Sequence, residues 1–377
     1  MNWFARKKKR YFAIAGDATG ALLAEISKGP QKQPVISALA SAEGVAVIDK
    51  TCVHRLLSQV PETLQGQVSL ALPLSYFATR NITLPIMPKE AIGLALPYHL
   101  AKAIDQPLRD VVYDWQTTQR QKNQQIITAY VFSRSTFEML RQELAKKQLE
   151  LTWFESDVSA ACALLDRQNR LRDGEAALCL SIWANGISIG VHEDRVLTVV
   201  RAVSLKQPGT PYTETITRDE LATAATAPQK PPPPDQGYID DREAEAILLN
   251  FDILKQTEKT GGRQSLNLAA SPALTMEKLP EHPPGPTAEA SPVAWSDYLN
   301  QINLEIIRTR DYYASVVKGA PIRQVFVGGA GDFLAELQEI ARISIEMNLE
   351  PLLRDEILPD KCPPSYGAIC LGTGARW

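Results

Sequence analysis

Four histidines, five cysteines and a run of closely spaced acids are the residues whose side chains offer acid–base, nucleophilic or metal-binding chemistry. His54, His99, His192 and His282 are scattered and share no ligand spacing, so they read as structural or exposed groups. Cys52, Cys162, Cys179, Cys362 and Cys370 form an odd set without a C-x-x-C spacing and with mostly apolar neighbours. That pattern predicts reduced, buried thiols in a cytosolic protein, not a disulfide framework or a zinc site. Asp240-Asp241, Glu243 and Glu245 fit the first turn of a polar helix, where acids complement the dipole. No Ser/His/Asp or Cys/His set stands in a supporting signature. Two glycine-bearing turns remain. Gly16-Asp17-Ala18-Thr19-Gly20 follows one apolar run, and Gly328-Gly329-Ala330-Gly331 follows another. Each places backbone amides behind a strand, and the second by itself closes many α/β turns.

The elements that would position these turns occur twice. Tyr11–Ala15, Ala21–Ile26 and Val35–Ala40 read as three short strands separated by turn residues. A helix with Val53, Leu56, Leu57 and Val60 on one face follows, then the apolar strand Val68–Leu72. The second copy opens with Ala176–Ile182, Ile187–Val191 and Val196–Ala202. A long helix from Trp295 to Val317 carries Trp295, Leu299, Ile302, Ile306, Tyr313 and Val317 on one stripe. This stripe reads as core and not as a cofactor box. The strand Gln324–Val327, the glycine turn and an amphipathic helix from Asp332 complete the copy. The repetition predicts two related α/β domains facing each other across a cleft. Residues 73–148 have no counterpart in the second copy and read as an inserted α+β subdomain, with strands at Tyr76–Leu84, Val111–Thr117 and Gln125–Phe132 and a helix at Lys89–Ala103. The expected division is 1–72 with 149–174, the insert 73–148, 175–203 with 318–377, and a separate segment 204–317.

That last segment departs from the rest in composition. Thirteen of the 26 prolines fall between Ser204 and Ala294, with only Tyr212, Tyr238 and Phe251 as aromatics. Such a stretch cannot bury enough apolar surface to offset its ordering entropy, so two linkers flanking a helical piece at Asp240–Lys259 are expected. Elsewhere the chain is ordinary globular material, 45% hydrophobic and 22% charged, over 377 residues. A net charge of -3 gives no reason to expect a nucleic-acid partner. No apolar run reaches the roughly 18 residues that cross a bilayer. The apolar stretch after Arg6-Lys7-Lys8-Lys9-Arg10 is too short for a signal peptide. The basic cluster reads as a solvated tail, with attraction to an anionic membrane surface as the alternative, at about 1 kcal/mol per charge.

Six stretches in order resemble the PilM family of type IV pilus assembly proteins. They are Val68-Ser69-Leu70-Ala71-Leu72-Pro73, Arg80-Asn81-Ile82-Thr83-Leu84-Pro85 with Lys89-Glu90, and Asp105-Gln106-Pro107-Leu108 with Val111-Val112-Tyr113-Asp114. The others are Leu304-Glu305-Ile306-Ile307-Arg308 leading to Asp311-Tyr312-Tyr313, the Val325–Gly331 turn, and Tyr366-Gly367-Ala368-Ile369-Cys370-Leu371-Gly372. The resemblance covers most of the chain outside the proline-rich segment. It implies an FtsA-like variant of the actin fold, two ribonuclease H-like domains around a cleft. It also implies a cytoplasmic adaptor at the inner face of the inner membrane, docking the N-terminal tail of a bitopic PilN-type protein as an extended peptide.

The same resemblance sets the expectations for nucleotide chemistry. Actin-like ATPases hold Mg-ATP on two acidic glycine turns, whose amides cradle phosphates while carboxylates hold metal-bound water. Matching Glu25 to the glutamate ending the family's second strand puts Ala15 where the first acid is expected, Asp17 in place of a glycine and Leu22 in place of a lysine. In the second copy Ser181 stands for the acid and Trp183 for the glycine, where an indole crowds an approach that needs bare backbone. Gly328, Gly329 and Gly331 keep the adenosine loop. Two readings follow. In one, Asp17 and Thr19 take over phosphate and metal duties one turn along, and ATP with Mg is still bound. In the other, favoured because two carboxylates are lost, both phosphate turns have degenerated, leaving a pseudo-ATPase scaffold with no cofactor and no catalytic or metal-binding residue. Working ATPases or sugar-kinase relatives of the superfold, and a type II secretion component like the cytoplasmic part of GspL, are the alternatives.

Overall fold

The computed structural model describes residues 10–29, 34–62, 64–120, 123–171, 174–209, 292–345, 347–353, 358–359 and 362–376. The expected helix at Asp240–Lys259, and most of the proline-rich segment around it, lie outside the described residues.

The first half begins with β1 (Tyr11–Gly16), β2 (Gly20–Lys28) and β3 (Pro34–Glu43), then α1 (Lys50–Ser58) and β4 (Gly66–Leu72). β1 pairs antiparallel with β2, and β2 with β3, as the short turns between them require. β1 and β4 pair parallel, with α1 as the crossover between β3 and β4. An insert follows: β5 (Ala78–Pro85), α2 (Lys89–Ala103), β6 (Val111–Arg120) and β7 (Gln124–Ser133), forming a separate sheet in the order β5-β7-β6. The chain returns through α3 (Arg134–Ala145), β8 (Leu149–Ser156) and α4 (Asp157–Arg167). The first sheet then reads β3-β2-β1-β4-β8.

The second half repeats the scheme. β9 (Ala176–Trp183), β10 (Gly186–Glu193) and β11 (Val196–Ser204) form an antiparallel meander. α5 (Pro292–Tyr312), β12 (Ile322–Gly328), α6 (Leu334–Ile345), β13 (Asn348–Pro351) and α7 (Pro364–Gly374) complete it, with sheet order β11-β10-β9-β12-β13. Two five-stranded sheets with this order and these pairings are a duplicated ribonuclease H-like unit. That is the actin-like architecture.

Side-chain size along the strands explains the layering. Phe12, Ile14, Val68, Leu70 and Leu72 point to the outer face of the first sheet, where they pack with α1 and α3. Leu178, Leu180 and Ile182 do the same in the second, against α5 and α6. The inner faces carry Ala13, Ala15, Ala24, Ala71, Ala177 and Cys179. Alternation with a period of two separates the faces, and the small inner set leaves room for α4 and α7. These two helices meet at very short range, because a Cβ placed on Gly372 would lie 2.2 Å from the carbonyl oxygen of Ala160.

Two expected boundaries differ from the structure. The expected insert, 73–148, includes α3, but Leu140 and Leu144 pack into the outer core of the first sheet with Leu56 and Leu149. The insert's own core, built on Ile82, Leu84, Leu96, Leu100 and Ile127, stops at β7. The expected separate segment, 204–317, includes the long helix, but Tyr298, Leu299, Ile302 and Ile306 bury against β9, β10 and β12. α5 therefore belongs to the second half. It loosens into one π turn at Tyr313–Val317, where the Tyr313 hydroxyl donates to Glu193 Oε2 at 2.5 Å. Among the described residues, no helix is long and apolar enough to cross a membrane.

Candidate functional site

The ends of β1 and β9 and the start of α7 converge in the cleft between the halves. Ala15 is fully buried, and Leu22 belongs to the central core. Ser181 is buried, and its hydroxyl has no hydrogen-bond partner. Trp183 occupies the inner face two residues on, 5% exposed, and stacks on Tyr366 with ring centroids 5.9 Å apart and planes 26° from parallel.

Asp17, 4% exposed, sits in the turn between β1 and β2. Its Oδ1 accepts from the Thr19 amide at 2.8 Å, the Thr19 hydroxyl at 2.7 Å and the Tyr366 hydroxyl at 2.8 Å. Its Oδ2 accepts from the Ala184 amide at 3.2 Å. Asp17 thus ties the first half to the start of the β9–β10 turn and to α7. Burial, with Asp17 beside it, pushes the Tyr366 phenol well above its ordinary range, so it stays a donor.

A second carboxylate, absent from the sequence expectations, completes this layer. Asp157 opens α4 and is wholly buried. Its Oδ1 accepts from the Leu74 amide at 3.0 Å and the Val158 amide at 2.8 Å, and its Oδ2 accepts from Trp183 Nε1 at 2.6 Å. Burial pushes its carboxyl up to about 6, against the opposing effect of the Ser188 hydroxyl, Trp183 and the two amides. The signal for it was slight: a lone Asp after Ser156 is the usual content of a helix start.

The glycine loop after β12 abuts this knot, with Gly329 packed against Ile182 and Ser365, the chain neighbours of Trp183 and Tyr366. Gly329 and Gly331 line a cavity of about 750 Å³ with Trp295, Leu299 and Phe333. Gly329 has a φ of +81°, and a Cβ there would meet the Ile182 carbonyl oxygen at 2.1 Å, so only glycine fits. Gly328 ends β12 against Leu352. Of the five expected site residues, Gly329 and Gly331 share this cavity, and Asp17 and Thr19 share the knot. Asp17 and Asp157, the two acids of the knot, are engaged by protein donors, and an indole stands where phosphate-binding backbone was expected. Among the described residues no group of three or more His, Cys, Asp or Glu is placed to hold a metal ion.

A second concavity lies where the insert meets the first sheet. β6 is an edge of the three-stranded sheet, and β8 is an edge of the first five-stranded sheet. Val112–Gln116 of β6 and Phe154–Ser156 of β8 line a groove of about 330 Å³. Its floor is an aromatic cluster in which Phe154 lies 5.4, 4.8 and 5.4 Å from Phe77, Phe132 and Phe137. At its rim Tyr113 is 37% exposed, and nearby on β8 Trp153 is 46% exposed, with the Arg376 guanidinium 5.9 Å from the indole centroid. Glu155 Oε2 accepts from Arg376 Nη2 at 2.8 Å.

No family model matches the chain, and no curated protein sequence matches it. Solved structures do. A chain of the PilM-PilN type IV pilus biogenesis complex is similar at 16% identity and a TM-score of 0.59, covering 97% of this chain and 98% of that one. The cytoplasmic domain of EpsL, an inner membrane component of the type II secretion system of Vibrio cholerae, is 15% identical with a TM-score of 0.38, over 52% of this chain and 71% of its own. A Bacteroides thetaiotaomicron protein with an actin-like ATPase fold is 10% identical with a TM-score of 0.42, over 93% of each chain. At these identities the likeness is one of fold: the chain has the actin-like fold, with an arrangement that resembles the PilM–PilN structure over nearly its whole length.

Proposed function

We propose that this chain is an actin-like adaptor for a type IV pilus or related secretion machine, working in the cytoplasm at the inner face of the inner membrane. It would dock the N-terminal tail of a bitopic membrane partner of the PilN type. The observation that carries the reading is the aromatic groove flanked by the edge strands β6 and β8. An extended peptide can add to a strand edge through its backbone while a pocket reads alternate side chains. The similar structure's own description, a complex of PilM with PilN, supports the same partner class. The test is binding of a synthetic PilN-type N-terminal peptide to the full chain and to Tyr113→Ala, which removes a groove wall. Roughly tenfold weaker binding to the variant is expected, and equal binding would place the peptide elsewhere.

The interdomain cleft is, on this reading, a degenerate nucleotide site, and the protein is not an enzyme. The support is that Asp17 and Asp157 are each engaged by several protein donors, while Trp183 and Tyr366 stack between the halves. A Mg-ATP complex would need those carboxylates released and the indole moved. The cavity beside Gly329 and Gly331 favours a second reading, in which a nucleoside is still held without phosphate or metal contacts. Thermal melting separates the two. A ligand at 100 times its Kd stabilises by about 2.7 kcal/mol, so millimolar Mg-ATP and adenosine both leave the melt unchanged on the first reading. Adenosine alone sufficing would support the second. A shift with Mg-ATP that Asp17→Ala abolishes would sink the degenerate-site proposal and restore Asp17 as a working ligand.

A further inference from the structure

Accepting the groove as a docking site, its polar edge narrows the chemistry of the occupant. Glu155 lines the groove with its side chain 9% exposed. Its Oε2 is engaged by Arg376, but its Oε1 is buried without any hydrogen-bond partner. A buried carboxylate oxygen left unpaired is costly, and such atoms are few in folded proteins.

Several of the donors around it are engaged by the protein itself. The Arg376 Nη2 that reaches Glu155 also contacts the Ser159 carbonyl oxygen at 3.4 Å and the Ser159 hydroxyl at 3.0 Å. Gln116 Nε2 donates to the Tyr130 hydroxyl at 2.7 Å and the Leu197 carbonyl at 3.1 Å. The Trp115 amide donates to Asp114 Oδ1 at 2.8 Å. Beyond its strand edges, the groove offers an incoming chain acceptor capacity at Glu155 Oε1 and the second oxygen of Asp114. The lining carries two carboxylates, Asp114 and Glu155, and Arg376 pairs with the second. Beside this edge the four phenylalanines offer an apolar box.

We propose that the groove takes an apolar segment bearing one cationic group, set on Glu155 Oε1 while a neighbouring apolar side chain enters the phenylalanine box. The cation is either a free α-ammonium or a Lys or Arg side chain. Both supply charge-assisted N–H donors to the carboxylate oxygen.

The test is a selection of random octapeptides displayed with free amino termini against the full-length chain. Amide exchange then identifies the selected peptides that protect β6 and β8. Those peptides should be enriched in Lys or Arg at a fixed distance from an apolar residue, or should depend on the free terminus. Replacing that Lys by norleucine, or acetylating the terminus, distinguishes the two sources and should weaken binding by about tenfold. Glu155→Gln should cost a similar factor, and combining it with the norleucine peptide should cost little more. The norleucine comparison uses the unaltered protein, so it stands even if Glu155→Gln disturbs folding. Groove-protecting peptides that show neither basic enrichment nor sensitivity to norleucine or acetylation would overturn the cationic assignment and leave the docking reading standing. If no selected peptide protects the groove, both fall.

Discussion

Replacing Trp183 by Phe removes one hydrogen bond from the centre of the cleft and keeps an aromatic ring there. The lost bond runs from Nε1 to Asp157 Oδ2 at 2.6 Å, in a site where the carboxylate is wholly buried. A hydrogen bond to a charged group contributes about 1.5–3 kcal/mol, and the smaller ring forfeits roughly 1 kcal/mol of packing. At pH 8 the substitution should therefore cost about 3 kcal/mol. At pH 5 the cost should fall to about 1 kcal/mol, because a protonated carboxyl no longer leaves an anionic oxygen unpaired. The direction follows from the shift. The folded carboxyl titrates at about 6, above its ordinary value, so its contribution to stability is fully present below about pH 4 and is lost as pH rises through 6. Without the indole donor that midpoint rises further, by about one unit for each 1.4 kcal/mol lost from the ionised form. The variant therefore goes on losing stability between about pH 6 and 7.5, where the wild type has levelled off. Urea unfolding followed by far-UV circular dichroism at pH 5 and pH 8 measures both costs. Taking the difference between variant and wild type cancels the other titrating groups. An equal cost at the two pH values, or a larger one at pH 5, would refute the account of Asp157 as a buried acceptor for Trp183.

Two glycine substitutions should act in opposite directions. Gly372→Ala puts a methyl group 2.2 Å from the Ala160 carbonyl oxygen, forcing α4 and α7 apart and costing about 3 kcal/mol in chemical denaturation. Gly93→Ala, in a part of α2 with nothing within 4 Å of the new atom, should stabilise by about 0.5–1 kcal/mol. Tyr366→Phe keeps the stack on Trp183 but removes a donor from Asp17 Oδ1, so a loss of about 1 kcal/mol in the melt is expected.

Much of the scaffold was legible because each half repeats the same order of three short strands, a helix and a further strand. Strands β1, β4 and β9 are short apolar runs bounded by turn residues, and those runs mark their positions to within a residue or two. The absence of acids at Ala15 and Ser181 was equally visible. Asp157 was not, because its role depends on Leu74 and Trp183, 83 and 26 residues away. Tyr366 was likewise legible only as part of a closing helix, since its partners Asp17 and Trp183 come from different halves. The insert's end was misplaced because α3 follows β7 directly, with Ser133 as its cap, and no turn marks the change of core. The groove residues looked like ordinary strand aromatics. Their meeting requires two edge strands of different sheets to come together.

The crossing of α4 and α7 also bears on mechanics. Where backbone meets backbone at Gly372 and Ala160, no layer of long side chains lies between the helices to slide or re-rotamerise. A tightly packed interior of low compressibility transmits strain instead of absorbing it. A pull applied to a chain lying along β8 would enter the first sheet through its parallel pairing with β4 and pass to the neighbouring α4. From there it would reach the second half with little give. The scaffold behaves in this direction as a strut.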